Sequence, residues 1–166
     1  MLKIFPAKTG EDIELVKTLF TEYSNFLKKE LHEYANLPWL AQYYQDFEEE
    51  TANLPNSYRP PEGFLLVAKY ERQLAGCVAL VKLNEDTCEM KRLFVRPKYQ
   101  RLGIGRALCE AIIEQAKKAG YRNMRLATAL DLPKVLYKSL GFKEIAPFAD
   151  VPTEIKGVVF MELKLF

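Results

Sequence analysis

The chain has 166 residues, of which 49% are hydrophobic and 28% charged, and its 24 Lys and Arg against 22 Asp and Glu leave a formal net charge of +2. That length suits one domain spanning residues 1–166, and the balance of residue types excludes a disordered or collagen-like chain. A total so near neutral gives no ground for a nucleic-acid partner.

Three cysteines, Cys77, Cys88 and Cys109, lie far apart in apolar surroundings without a Cys-x-x-Cys pair. This argues against a zinc site or a disulfide framework and points to a reducing, cytoplasmic compartment. No apolar run approaches the ~20 residues of a membrane helix, and the first residues lack the long apolar stretch of a signal peptide. The single histidine, His32, leaves no His-based triad and no His-Glu-x-x-His metal site, so no metal is expected.

Along the chain, Thr9-Gly10-Glu11-Asp12 marks a helix start, with Ile13, Val16, Leu19, Phe20, Tyr23 and Phe26 following at helical spacing. A second helical pattern covers residues 39–50, and proline-rich turns around 53–63 follow it. Residues 64–70, 74–81 and 87–95 are β-rich runs, the first two joined by Glu71-Arg72-Gln73. An amphipathic helix over 103–119 carries Lys117 and Lys118 at its negative end and stops at Gly120. Then come a strand at 122–128, a short helix at 132–140, and strands at 142–145 and 158–165. Helices first, then β-β-β-α-β-α-β-β, specify a mixed α/β domain. Its strand–helix–strand unit makes one parallel pair, and its hairpins make antiparallel neighbours. The last strand, read as an exposed edge, offers a surface for a homodimer.

The segment from Met90 to Ala107 carries the chemistry. It holds Lys91, Arg92, Arg96, Lys98, Arg101 and Arg106 with no acidic residue from 91 to 106, which predicts a bound polyanion with several phosphates. Gly103 and Gly105 lie between a strand and a helix start, where unpaired N–H groups collect at the positive end of the dipole. A solvated basic turn capping a core helix is the plainer reading. Two phosphate patterns fail here: Arg106-Ala107 replaces the Lys-Ser/Thr of a Walker loop, and Leu108 stands at the third glycine of a dinucleotide fingerprint.

Gln100-Arg101-Leu102-Gly103-Ile104-Gly105 resembles the Gln/Arg-x-x-Gly-x-Gly/Ala signature of the GNAT superfamily of N-acetyltransferases. Leu93-Phe94-Val95-Arg96-Pro97 before it and Leu136-Tyr137-Lys138-Ser139-Leu140-Gly141-Phe142 after it resemble further motifs of that family, in the same order. The resemblance implies a central, mostly antiparallel sheet with a splayed parallel pair, flanked by helices. It also implies acetyl-CoA as donor and direct transfer to an amine in a ternary complex. The amides around Gln100, Arg101, Gly103, Ile104, Gly105 and Arg106 would hold the diphosphate. Leu93, Phe94 and Val95 would run beside the pantetheine arm, with the amide of Val95 or Phe94 facing the thioester carbonyl.

Aminolysis needs a neutral amine, and Glu89 stands where some members carry a basic glutamate. Its alternative is an ion pair with a neighbouring strand lysine or arginine. Tyr137 matches the tyrosine that hydrogen-bonds the CoA sulfur, its alternative being an aromatic core residue. Leu130 stands where many members have Asn, and Arg101 where many have a third glycine.

The acceptor side offers Tyr23, Tyr34, Trp39, Tyr43 and Tyr44 with the acidic run Asp46 to Glu50, read as helix core and a solvated face. A small-molecule amine is the expected acceptor. A peptide or protein amine, and a non-catalytic acetyl-CoA sensor, are the alternatives; no nucleic acid and no membrane partner is expected.

Overall fold

The computed structural model describes residues 1–166. Seven strands form one sheet: β1 (Leu2–Pro6), β2 (Phe64–Tyr70), β3 (Gln73–Lys82), β4 (Thr87–Val95), β5 (Asn123–Thr128), β6 (Lys143–Ile145) and β7 (Val159–Lys164). Four helices accompany them: α1 (Gly10–Glu30), α2 (Pro38–Ala52), α3 (Ile104–Lys118) and α4 (Asp131–Ser139). The sheet order is β1-β2-β3-β4-β5-β7-β6, and every neighbouring pair is antiparallel except β4 and β5. No helix is long and apolar enough to cross a membrane.

Local chemistry explains most boundaries. Thr9 caps α1 in a capping box, its hydroxyl accepting from the Asp12 amide while the Asp12 carboxylate accepts from the Thr9 amide. Pro38 opens α2 at a position where the missing N–H is no loss. Two expectations change. Residues 2–6 form an additional first strand, a five-residue edge too short for its alternation to register as a pattern. The last strand is no edge: β7 inserts between β5 and β6, so the exposed edges are β1 and β6 and the expected dimer surface on β7 is absent.

Alternation along the central strands divides the core into two layers. Leu66, Ala68, Val78, Leu80, Cys88 and Met90 meet α3, whose buried stripe is Ile104, Leu108, Ile112, Ile113 and Ala116. Leu65, Val67, Cys77, Ala79 and Phe94 meet Val16, Leu19, Phe20 and Leu27 of α1 and Phe47 of α2. All three cysteines are free and buried, and burial pushes each thiol up to about 12.

One irregularity shapes β4. Cys77 pairs with Phe94 and Ala79 with Lys91, so β4 holds one residue more than β3 across this stretch. The extra residue is accommodated at Arg92, whose φ of 61° is left-handed. The Arg92 side chain anchors this bulge to α2. Its Nε and Nη2 donate to the two Glu50 carboxylate oxygens at 2.9 and 3.2 Å, and its Nη1 donates to the Tyr43 hydroxyl at 2.7 Å. The guanidinium also lies 3.9 Å from the centre of the Phe47 ring. Glu50 therefore leaves the solvated face expected of the acidic run, whereas Asp46, Glu48 and Glu49 stay exposed.

The Arg92 side chain is 8% exposed, so removing its partner leaves a charge in apolar surroundings. Glu50→Ala is expected to lower the unfolding free energy by about 3 kcal/mol, read as a lower urea midpoint at unchanged slope. Arg92→Gly should lose less, because glycine relaxes the left-handed backbone and the better-solvated Glu50 is the group left alone.

Candidate active site

Strands β4 and β5 pair over three positions only: Thr87 with Asn123, Cys88 with Met124, and Glu89 with Arg125. Beyond Glu89, β4 runs six residues further with no partner on that side, while β5 continues against β7. The two strands thus diverge into a cleft with Glu89 at its apex. This is the splayed parallel pair that the sequence motifs implied.

The free edge of β4 has a definite direction. The Arg96 amide donates to the Ala75 carbonyl of β3 at 2.8 Å, so by two-residue alternation Phe94 also turns its N–H and C=O toward β3. A Cβ on Gly76 would meet the Phe94 carbonyl at 2.5 Å, which shows how closely the two backbones approach there. Leu93 and Val95 therefore turn their backbone groups into the cleft. The Gln100 side-chain amide reaches the Val95 carbonyl from that side, at 3.2 Å.

The loop before α3 adds an array of donors. Gln100 and Ala107 donate to Pro97 and Gly103, but none of the six amides from Arg101 to Arg106 donates to the chain. Arg101 and Gly103 take left-handed φ values of 66° and 79°, which curl this stretch so that successive N–H groups converge before the helix begins. Gly103 is required for its conformation, since nothing stands within 4 Å of where its Cβ would be. A Cβ on Gly105 would lie 3.8 Å from Val95 and 3.7 Å from Leu136, so the loop, the end of β4 and helix α4 converge here. Arg106 reinforces the junction by donating to the Ser139 hydroxyl at 3.0 Å.

The basic excess of this segment is smaller in space than in sequence. Arg92 is neutralised by Glu50, and Arg96 pairs with Glu22 of α1 at 2.7 Å. Lys91 faces the α1/α2 layer, because it pairs with Ala79 of that layer. Lys98, Arg101 and Arg106 are the cations left exposed around the loop. A diphosphate there would rest mainly on backbone amides and the helix dipole.

Tyr137 combines both readings made from sequence. Its ring is buried against Phe142, yet its hydroxyl makes no hydrogen bond within the chain. That hydroxyl is also absent from the sealed, partnerless polar atoms, which are Ser24 Oγ, Tyr44 OH and Asn56 Oδ1, so it reaches accessible space. Burial holds the phenol well above its ordinary range, with smaller contributions from Cys109 and Tyr23. Tyr137 is thus a neutral hydroxyl donor at physiological pH. Tyr23, on the opposite layer, stacks on Phe94 at 5.4 Å.

Glu89 forms no ion pair and no hydrogen bond, contrary to the alternative of a strand lysine or arginine partner. It shares a face with Val81, its cross-strand partner, which packs against the α1/α2 layer. Burial raises its carboxyl above the usual range, opposed by Lys91 and Arg92. Glu89 lies four residues before Leu93, about 13 Å along an extended strand, so it reaches chemistry at the Leu93 amide through a substrate or a water.

The α1/α2 layer closes the far side of the cleft. The Lys156 amide, in the connection between β6 and β7, donates to the Tyr34 hydroxyl at 3.2 Å and joins that connection to the turn after α1. Trp39, 37% exposed, stacks on Tyr43 and is no core residue. His32 is exposed, its ring Nδ1 3.0 Å from the Lys29 carbonyl oxygen. A wide depression of about 680 Å³ lies elsewhere, between Arg59, Pro61, Lys82 and Glu85 at the other end of β3 and β4, and brings no reactive group together.

Sequence reasoning missed Lys91 as a member of the α1/α2 wall, and it missed the Arg92–Glu50 anchor. The signal for the first was present: Glu89 and Lys91 stand two apart on one strand and so share a face. The second depended on the bulge, which no local pattern announces.

Comparison with known proteins agrees with this geometry. The model of the acetyltransferase (GNAT) family matches residues 25–142. An uncharacterised N-acetyltransferase of Schizosaccharomyces pombe is 38% identical, over 99% of this chain and 95% of its own. Another, from Dictyostelium discoideum, is 28% identical, over 93% and 95%. Among solved structures, a GNAT-family acetyltransferase of Staphylococcus aureus shares the fold with a TM-score of 0.75 at 19% identity, over 100% of both chains. The PaiA N-acetyltransferase of Thermoplasma acidophilum, solved in complex with coenzyme A, gives 0.69 at 22% identity, over 99% of both. The chain belongs to the acetyltransferase (GNAT) family.

Proposed function

We propose that the protein transfers the acetyl group of acetyl-CoA to a primary amine of a small molecule, by direct attack with both substrates bound, in the cytoplasm. One observation carries this reading: the six free amides from Arg101 to Arg106 adjoin the free edge of β4. The two together offer a diphosphate cradle continuous with a strand edge for an amide-bearing arm. Acetyl-CoA brings the activated thioester.

Everything else falls to the chain. The loop amides and the α3 dipole hold the diphosphate, with Arg101 and Arg106 adding charge from the rim. Val95 and Leu93 pair with the arm as an adjoining strand does, which requires the Gln100 amide to release the Val95 carbonyl. Their N–H groups, aimed into the cleft, stabilise negative charge as it develops on the carbonyl oxygen. Phe94, whose N–H faces β3, contributes its ring to the acceptor wall and not its amide. Glu89 accepts the amine proton, directly or through one water, and Tyr137 donates a hydrogen bond to the departing sulfur.

Release of CoA thiol across a panel of amines, amino acids and peptides tests the reaction itself, and thiol release with peptides alone or with no acceptor overturns the small-molecule reading. Three variants test its parts. Gly103→Val forces a β-branched residue into a left-handed backbone and should weaken acetyl-CoA binding about 10-fold or more by calorimetry. Tyr137→Phe should lower kcat about 10-fold while the acetyl-CoA Kd stays nearly constant. Glu89→Gln should lower kcat/KM about 100-fold or more. The active form of Glu89 is the ionised one, so activity rises with pH as the group deprotonates. Because its carboxyl is raised, that limb should lie above the ordinary carboxylate range near ~4.3 and disappear in Glu89→Gln.

A further inference from the structure

Two unpaired ions share the acceptor wall. Every other strong charge on this face of the splayed strands is matched: Arg92 by Glu50, and Arg125 by Glu162 at 2.8 Å. Glu89 and Lys91 are half-buried, on the same face and two residues apart, yet neither makes a hydrogen bond or an ion pair, with each other or with any other residue. Unpaired charges in such surroundings carry a desolvation cost that an opposite charge normally offsets. Burial and the neighbouring Arg92 lower the Lys91 ammonium and burial raises Glu89, while each of the two charges offsets part of the shift of the other.

Positions two apart on a strand are separated by about 6.6 Å. One small ligand lying over β4 can therefore reach both side chains. In an α-amino acid the nitrogen and the carboxylate carbon are about 2.5 Å apart, so one molecule can present its ammonium to Glu89 and its carboxylate to Lys91. Along β4 Lys91 stands between Glu89 and the Leu93 amide, so the amine meets the thioester from the cleft side of the carboxylate. The bulge at Arg92 and its tie to α2 fix Lys91 against lateral movement.

Resting on the acetyl-transfer reading above, we propose that the acceptor is a free α-amino acid, or an equally compact amino carboxylate, whose carboxylate is held by Lys91 while its amine faces Glu89. Lys91 is then a specificity-determining residue. A peptide amino terminus or a simple amine satisfies only half of the pair.

The test compares each amino acid with its own carboxamide, which keeps the side chain and the amine but lacks the anion; phenylalanine, tyrosine and ornithine with their amides serve. Thiol release is measured for the wild-type chain, Lys91→Met and Lys91→Arg. The wild-type chain is expected to favour the amino acids. Lys91→Met should shrink the ratio of kcat/KM between acid and amide by about 10- to 100-fold, and Lys91→Arg should retain much of it. Comparing ratios between variants cancels the different intrinsic basicities of the amines.

A wild-type preference for the amides, or a Lys91→Met loss that falls equally on both members of each pair, overturns the proposal while leaving acetyl transfer intact. If no acceptor releases thiol, the transfer reading fails instead. Calorimetric titration of phenylalanine into the CoA-saturated chain then still decides. Binding weakened at least 10-fold by Lys91→Met upholds the anion site, and binding unchanged or absent removes it.

Discussion

The site depends on a pairing that stops early. Parallel strands β4 and β5 share three register positions and then separate, so the rest of β4 keeps a row of backbone donors and acceptors facing outward from a sheet that is otherwise paired. An unpaired edge within a sheet is normally a liability. Here it is enclosed by α3 and α4 on one layer and by α1 and α2 on the other, so the unpaired groups face a bounded cleft. The free loop amides prolong that surface past the end of the strand, and Glu89 marks its apex.

What holds the strands apart is legible in the side chains on both sides. On one layer, Leu136 of α4 and Val95 of β4 meet at Gly105, wedging the loop against the strand end. On the other, Arg92 ties the β4 bulge to Glu50, Tyr43 and Phe47 of α2. The left-handed backbone at Arg92 is unfavourable for a side chain of that size, and the bidentate carboxylate offsets it. The same bulge resets the alternation of β4, so that Leu93 follows Lys91 and Arg92 on the opposite layer and the amides that face the cleft are those of Leu93 and Val95. The two layers that flank the cleft are therefore coupled through one residue.

Much of this could be read from the chain alone, where periodicity was long and punctuation strong. The α3 stripe, the hairpin turn at Glu71-Arg72 and the start of α1 at Thr9-Gly10-Glu11-Asp12 each rest on local chemistry and appear in the structure as expected. The glycine-containing loop was legible because backbone conformation there is written in residue type. Three features escaped for a common reason, which is that they are settled by distant partners. Residues 2–6 become a strand only because β2 has a free edge. The final strand enters the interior because β5 needs an antiparallel neighbour and β6 spans three residues. The basic run from Lys91 to Arg106 looked like one electrostatic feature, but Glu22 and Glu50 lie 74 and 42 residues from their arginines and cancel two of its charges.

The insertion of β7 also constrains how the molecule comes into being. One wall of the cleft is β5, and β5 is held in register over six positions by residues 159–164. During vectorial synthesis the loop before α3 and the first four strands leave the ribosome well before those residues do. The loop and the free strand edge are thus made early, whereas the wall opposite them stays unsupported until β7 arrives. A nascent chain of this topology passes through a stage at which the loop before α3 and the free edge of β4 exist without the opposite wall that turns them into a cleft.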